Sequence, residues 1–278
     1  MVVDKAKELD VPILLAGDVF DRWDAPAELV NHVIRWLDGI LVYAVPGNHD
    51  LPNHSLADVR RSAYWTLVEA GSVQHVTDVV KLFVGGRCEA FVYGFAHGVE
   101  VVDHEAIEIP GIDVLKVALI HDYIWFGPKP PYPGASPDKH CGEWGQRLGS
   151  MGYDAAVFGD NHSPWYTNNE GGTHPAMLNC GCLTRRRADE VVYQPHVNLL
   201  YSNGTFDREP IDTTGDVWRA NADREATEIL DTRELVESLK ALADTPLNFT
   251  DAVMHHLRVS KAADPLKRFV LSCLGVEK

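Results

Sequence analysis

Gly17-Asp18-Val19-Phe20-Asp21-Arg22 and, further along, Gly47-Asn48-His49-Asp50 decide how this chain is read. Each follows an apolar run, Val11-Pro12-Ile13-Leu14-Leu15-Ala16 for the first and Ile40-Leu41-Val42-Tyr43-Ala44-Val45 for the second. Short aliphatic and β-branched runs that end in Gly-Asp or Pro-Gly-Asn read as buried parallel strands running into loops. Ligands of open α/β sheets bind beyond the carboxyl ends of the strands. Both stretches therefore project Asp, Asn and His onto one edge of one sheet. Hard oxygen donors mixed with imidazole suit a hydrolytic divalent-metal centre.

Two more strand ends carry the same residue types. One is Val117-Ala118-Leu119-Ile120-His121-Asp122, and the other is Ala155-Ala156-Val157-Phe158 followed by Gly159-Asp160-Asn161-His162. Together with the first two stretches, these resemble the ordered blocks of the calcineurin-like metallophosphoesterases: GD-x-x-D, GNH-D/E, a lone His after a strand, and GH-x-H. Asp160 stands where the family usually has His, and it can still ligate a metal. The resemblance runs over residues 11–190. It implies an α/β (α+β sandwich) fold, with two packed mixed β-sheets flanked by helices. The family's first block, Asp-x-His after a strand, has no counterpart near the N-terminus, so the chain is expected to be truncated at its start. Outside the quoted blocks, Asp138-Lys139-His140 is the one Asp-x-His present. It lies in a Pro- and Gly-rich loop with no strand before it and reads as a chance occurrence.

The resemblance also implies roles. Asp18 would bridge two metals, and Asn48, His121 and Asp160 would complete the site of one of them. His162 would join Asp18 on the other, whose remaining ligands belong to the absent block. That leaves a near-complete site for one ion and about half a site for a second. His49 would protonate the leaving oxygen or stabilise the transition state, with the Asp21 carboxylate orienting its imidazole. Asp50 and Arg22 follow the motifs as loop braces, and Arg22 is also a candidate substrate contact. Arg185 and Arg186, in the cluster Arg185-Arg186-Arg187, are weighed evenly as phosphate contacts or as a solvated patch. Manganese is the first choice of cofactor for so oxygen-rich a set, with zinc, iron and magnesium as alternatives.

Asn179-Cys180-Gly181-Cys182-Leu183-Thr184-Arg185 is similar to the Asn-Pro-Gly-Ser-like turn of the SbcD-like DNA exonucleases, of bacterial or phage type. That branch implies phosphodiester hydrolysis, DNA as substrate and an ATPase partner of the SbcC type. A nucleotide or small-molecule phosphodiesterase or phosphatase is the alternative enzyme. A degenerate member that only binds a partner is the alternative from another class.

The 278 residues, 45% hydrophobic, suffice for one large domain and an appendage. The expected division is a phosphoesterase core over 1–211 and a helical appendage over 212–278. No apolar run reaches the length of a membrane span. Five cysteines without a C-x-x-C pair argue against a disulfide framework and for a reducing cytosol. Cys180-Gly181-Cys182 reads as a tight turn. A formal net charge of −15 opposes broad tracking of a nucleic-acid backbone, although bound cations would offset part of it locally.

Helices are expected at 1–10, 27–37 and 64–70, and 146–151 reads as the end of a helix. Strands are expected at 11–16, 40–45, 79–84, 90–93, 114–120 and 155–158. Residues 176–179 and 191–193 read as strands of a second sheet, and a hairpin turns at Ser202-Asn203-Gly204. Three helices should follow: one near Thr232, then Thr250–Leu257 and Pro265–Leu274. The long stretch Trp125–Gly142, rich in Pro, Gly and aromatics, reads as a lid or substrate wall. His97, His104, His140 and His174 stand outside the blocks and read as structural or exposed, His174 being the likeliest exception.

Overall fold

The computed structural model describes residues 2–104, 113–132, 134–168, 174–184 and 193–215. The chain divides into two units, Met1–Asp216 and Val217–Lys278. The three expected C-terminal helices, the cluster 185–187 and Cys273 lie outside the described residues.

The first unit is built on two sheets. Strands β1 (Ile13–Ala16), β2 (Val42–Val45) and β3 (Gln74–His75) form a three-stranded parallel sheet. Six strands form the larger sheet: β4 (Val79–Val84), β5 (Arg87–Phe95), β6 (Leu115–His121), β7 (Ala155–Gly159), β8 (Trp165–Thr167) and β9 (Ala176–Asn179). Their order is β4-β5-β6-β7-β9-β8, with β5, β6, β7 and β9 parallel and the two edge strands antiparallel. Strands β10 (His196–Leu200) and β11 (Phe206–Pro210) make the hairpin expected from Asn203-Gly204.

The strand Ala176–Asn179 was expected in a second sheet. It instead joins β7 in parallel, with Phe158 opposite Asn179. All four of its residues are buried, because the strand is covered on both faces. Of the expected strand at 191–193, only Tyr193 is described, and it is not in a strand.

Side-chain alternation along the strands divides the interior into three cores. Between the sheets, Val92, Val117, Leu119, Val157 and Leu178 of the larger sheet meet Tyr43 and Val45 of the smaller. On the outer face of the smaller sheet, Val42 and Ala44 pack against helices α1 (Val2–Leu9), α2 (Ala27–Trp36) and α3 (Ala63–Glu69), through Val3, Val30, Tyr64 and Leu67. On the outer face of the larger sheet, Phe91, Tyr93, Ile120 and Phe158 pack against Trp144 and Leu148 of helix α4 (Cys141–Ser150). The order of layers is helix, sheet, sheet, helix. Ser62 caps α3 by accepting a hydrogen bond from the Trp65 amide at 3.1 Å. The α4 cap is His140, whose Nδ1 accepts from the Gly142 amide at 3.1 Å.

Leu119 is fully buried between the sheets, close to the strand end that bears His121. Leu119→Ala is expected to cost about 2–5 kcal/mol, read as a lowered urea midpoint with unchanged slope.

Candidate metal centre

Four strand ends converge on one point. β1 and β2 run parallel with Ala16 opposite Val45, so the loops that follow them emerge side by side. In the larger sheet, β6 and β7 are parallel with His121 opposite Gly159, which sets Asp160 next to His121. The carboxylates of Asp18 and Asp160 and the imidazole of His121 each offer an atom within 4.8 Å of the others. His121 Nε2 lies 3.1 Å from Asn48 Oδ1 and 3.6 Å from Asp18 Oδ1. Of the five sequence-expected ligands, the structure brings Asp18, Asn48, His121 and Asp160 together. His162, expected with Asp18 on the other ion, is not among the groups that offer atoms within 4.8 Å of one another. The Asn161 side chain turns inward to the Ile124 carbonyl (2.7 Å), and His162 is left exposed, holding the Cys182 amide (3.0 Å) through its own carbonyl.

The hydrogen bonds of His121 make this group a fit for a cation. Its Nδ1 lies 2.6 Å from the Ala16 carbonyl, which only accepts, so Nδ1 carries the proton. The other ring nitrogen, Nε2, faces the Asn48 and Asp18 oxygens, and in the neutral ring it offers a lone pair there. A cation would stabilise such a convergence of acceptors. A ring nitrogen pinned to a carbonyl while the other faces the ion is also how metal-ligating histidines are commonly oriented.

Bare backbone makes room for the ring. A Cβ on Gly17, whose φ is +88°, would lie 2.1 Å from His121 Nδ1. A Cβ on Gly47 would lie 2.1 Å from Asp18 Oδ1 and 2.5 Å from His121 Cε1. Asp18 and Asp160 themselves hold left-handed backbones, at φ 52° and 77°. That conformation is uncommon outside glycine and concentrates at functional sites.

Asp50 braces the two loops of the smaller sheet. Its fully buried carboxylate accepts from the amides of Gly47 (3.0 Å), Val19 (3.2 Å) and Phe20 (3.2 Å). Burial pushes this carboxyl up to about 6, against the pull of the three donors, which favour the anion. His49 is exposed beside the group, and its amide donates to Asp18 Oδ1 at 3.0 Å. Its Nδ1 meets Asp21, but through the main-chain carbonyl (2.8 Å) and not through the expected carboxylate. That carbonyl, more than the nearby charges of Asp18, Asp21 and Asp160, raises the imidazole above its ordinary value. Arg22 is engaged locally, its guanidinium held at two points by Asp24 (2.9 and 2.8 Å). Arg185 and Arg186 lie outside the described residues.

Two histidines join the surroundings unexpectedly. His97 was read as structural or exposed, yet its ring stands 6.1 Å from that of His121. It follows β5, so its place at the end of a parallel strand was the available signal. His54 contacts the Asn48 carbonyl at 3.0 Å and lies 6.4 Å, ring to ring, from His97. Burial, and next the nearby His121, lowers the His97 value. His174 is exposed beside Gly145 of α4. His104 stacks on Tyr93 at 5.0 Å. His140 is taken up by the α4 cap and the Gly127 carbonyl (3.2 Å), and Asp138 by the Ser136 hydroxyl, so Asp138-Lys139-His140 serves the loop. The turn at Cys180-Gly181-Cys182 has φ +74° at Gly181, and Cys180 Sγ accepts from Asn198 at 3.1 Å. Both its thiols are free.

Two measurements check this geometry. Asp50→Asn opposes an amide NH₂ to a backbone N–H and should cost about 1–3 kcal/mol, read by urea unfolding at pH 7. In the metal-free protein, His49 should titrate above free histidine by NMR. The sign follows from a raised folded value: its stabilising contribution is complete below about pH 6.5 and fades as pH rises through the folded value.

Residues 2–164 match the family model described as calcineurin-like phosphoesterase. No curated protein sequence matches the chain. Among solved structures, that of a single mutant of Vps29 from Entamoeba histolytica is similar at 15% identity, covering 72% of this chain and 98% of that one, with a TM-score of 0.28. The family match spans more than half of the chain's 278 residues and takes in all the residues that converge on His121, and the chain belongs to the calcineurin-like phosphoesterases, metal-dependent hydrolases of phosphoesters.

Proposed function

We propose that the protein hydrolyses phosphodiesters, in the manner of the SbcD-like DNA exonucleases. The observation that carries the reading is the convergence of Asp18, Asn48, His121 and Asp160 beside the exposed His49. These four residues would hold a divalent ion. A bound ion there would neutralise charge on the phosphoryl oxygens and lower the pKa of an attacking water. The chain's own residues do the rest. The Ala16 carbonyl keeps the His121 Nε2 lone pair directed at the ion, and the His49 amide fixes one oxygen of Asp18. With Nδ1 engaged by the Asp21 carbonyl, His49 presents Nε2, which in the imidazolium form would donate its proton to the departing ester oxygen. The turn after Asn179 and the β10–β11 hairpin support the nuclease-like branch.

The net charge of −15 favours a second reading, a nucleotide or other small phosphodiester in place of duplex DNA. Among the described residues, no helix is long and apolar enough to cross a membrane.

The test uses bis-p-nitrophenyl phosphate and oligonucleotides with Mn²⁺. Asp160→Ala should lose both turnover and Mn²⁺ binding by calorimetry. His49→Ala should lower turnover on the order of 10²–10⁴-fold while keeping its metal content. Asp21→Asn should cost far less, because the contact is a main-chain carbonyl. Loss of metal from His49→Ala, or a preference for monoesters, would overturn the assignment.

A further inference from the structure

The segment that follows His121 carries a row of aromatics that the fold does not absorb. Ile124 and Trp125 are buried, whereas Phe126 and Tyr132 are 56% and 51% exposed. Phe126 is not loose. Its ring lies within 11° of the plane of Trp165, with centroids 6.4 Å apart, so one face rests on a buried indole and the other faces outward. The Trp165 Nε1 donates to the Ile124 carbonyl at 3.0 Å, and Asn161, next to Asp160, donates to the same carbonyl at 2.7 Å. The segment is thus fastened to the loop that bears Asp160. Tyr123 is close enough to Asp160 for that charge, after burial and the neighbouring Tyr132, to raise its phenol. Its ring lies 6.1 Å from that of Tyr132. The far end is held by the Lys139–Asp122 ion pair and by the hydrogen bonds of Trp125 with Lys139 (3.0 Å) and Cys141 (2.9 Å).

We propose that Tyr123, Phe126 and Tyr132 form a shelf on which an unpaired nucleobase of the substrate stacks while its phosphodiester lies at the Asp18–His121–Asp160 group. The inference rests on the phosphodiesterase reading and narrows it to single-stranded nucleic acid or short nucleotide diesters. Two observations choose this occupant. A chain of formal charge −15 draws little affinity from attraction to a polyanion, whereas stacking on an aromatic face is indifferent to charge. A base inside a duplex offers no free face, so an exposed flat ring beside a hydrolytic site suits an unstacked one.

The test compares a thymidine dinucleotide with a phosphodiester that has no ring, diglyceryl phosphate, both with Mn²⁺. Phe126→Ala and Tyr132→Ala should each lower the ratio of kcat/KM, dinucleotide over ringless diester, by about tenfold. Phe126→Tyr and Tyr132→Phe should restore it. An unchanged ratio in both alanine variants overturns the shelf. If the wild-type protein cleaves neither diester, the phosphodiesterase reading fails. The shelf is then decided by binding alone: a dinucleotide containing 2-aminopurine should lose fluorescence on the wild-type protein and not on Phe126→Ala, and equal quenching by the two would refute it. Thermal melts of each variant show that the comparison is made on folded protein.

Discussion

His121 ends β6 in the larger sheet, and its Nδ1 donates to the carbonyl of Ala16, which ends β1 in the smaller. This 2.6 Å hydrogen bond joins residues far apart in sequence and locks the two sheets together at the point where their loops meet. Much else follows from it. With the proton fixed on Nδ1, the other ring nitrogen has to face Asn48 and Asp18. The ring can enter only because Gly17 and Gly47 carry no side chain. The glycines of the two leading motifs are therefore steric vacancies shaped to a histidine on another strand, as much as they are turn residues.

Asp50 plays the matching part on the other side. Its three backbone donors come from both loops of the smaller sheet, so it sets the separation between Asp18 and Asn48. A buried carboxylate is costly in isolation and is tolerated when donors surround it. The balance here is close enough that burial still raises its value. Charge accumulates at this site by design of the chain: Asp18, Asp50 and Asp160 crowd one region, and two of them hold backbone conformations that most residues avoid. That concentration of electrostatic and backbone cost, in a protein whose sheets are otherwise apolar, marks a site arranged around a positive ion.

The described residues of the segment 122–140 carry only one short 3-10 turn, Pro137–Lys139, and are tied largely by side chains. The Ile124 carbonyl accepts from the Trp165 and Asn161 side chains, the Ser136 carbonyl accepts from the Trp125 indole, Trp125 pairs through its backbone with Lys139 and Cys141, and the His140 ring both caps α4 and reaches back to Gly127. One of these ties, the Asn161 side chain, comes from the residue next to Asp160, so the segment is joined to the loop that bears that carboxylate.

Much of this was legible in the residues themselves. Apolar runs ending in Gly-Asp, Pro-Gly-Asn and His-Asp announce strands with polar tips, because a buried strand must be apolar and its ligand-bearing end cannot be. That reading located β1, β2, β6 and β7 and named four residues that converge. It did not place Ala176–Asn179 in the larger sheet, since a short apolar run carries no record of its partner strand. It expected the Asp21 carboxylate at His49, where the main-chain carbonyl stands; main-chain atoms are common to every residue and leave no mark in a sequence. His54 and His97 came to the site only through folding. Local sequence determined which residues end strands and what donors they offer. The meeting of two sheets decided which of those ends face one another, because the distances between them are set by packing between strands and not by separation along the chain.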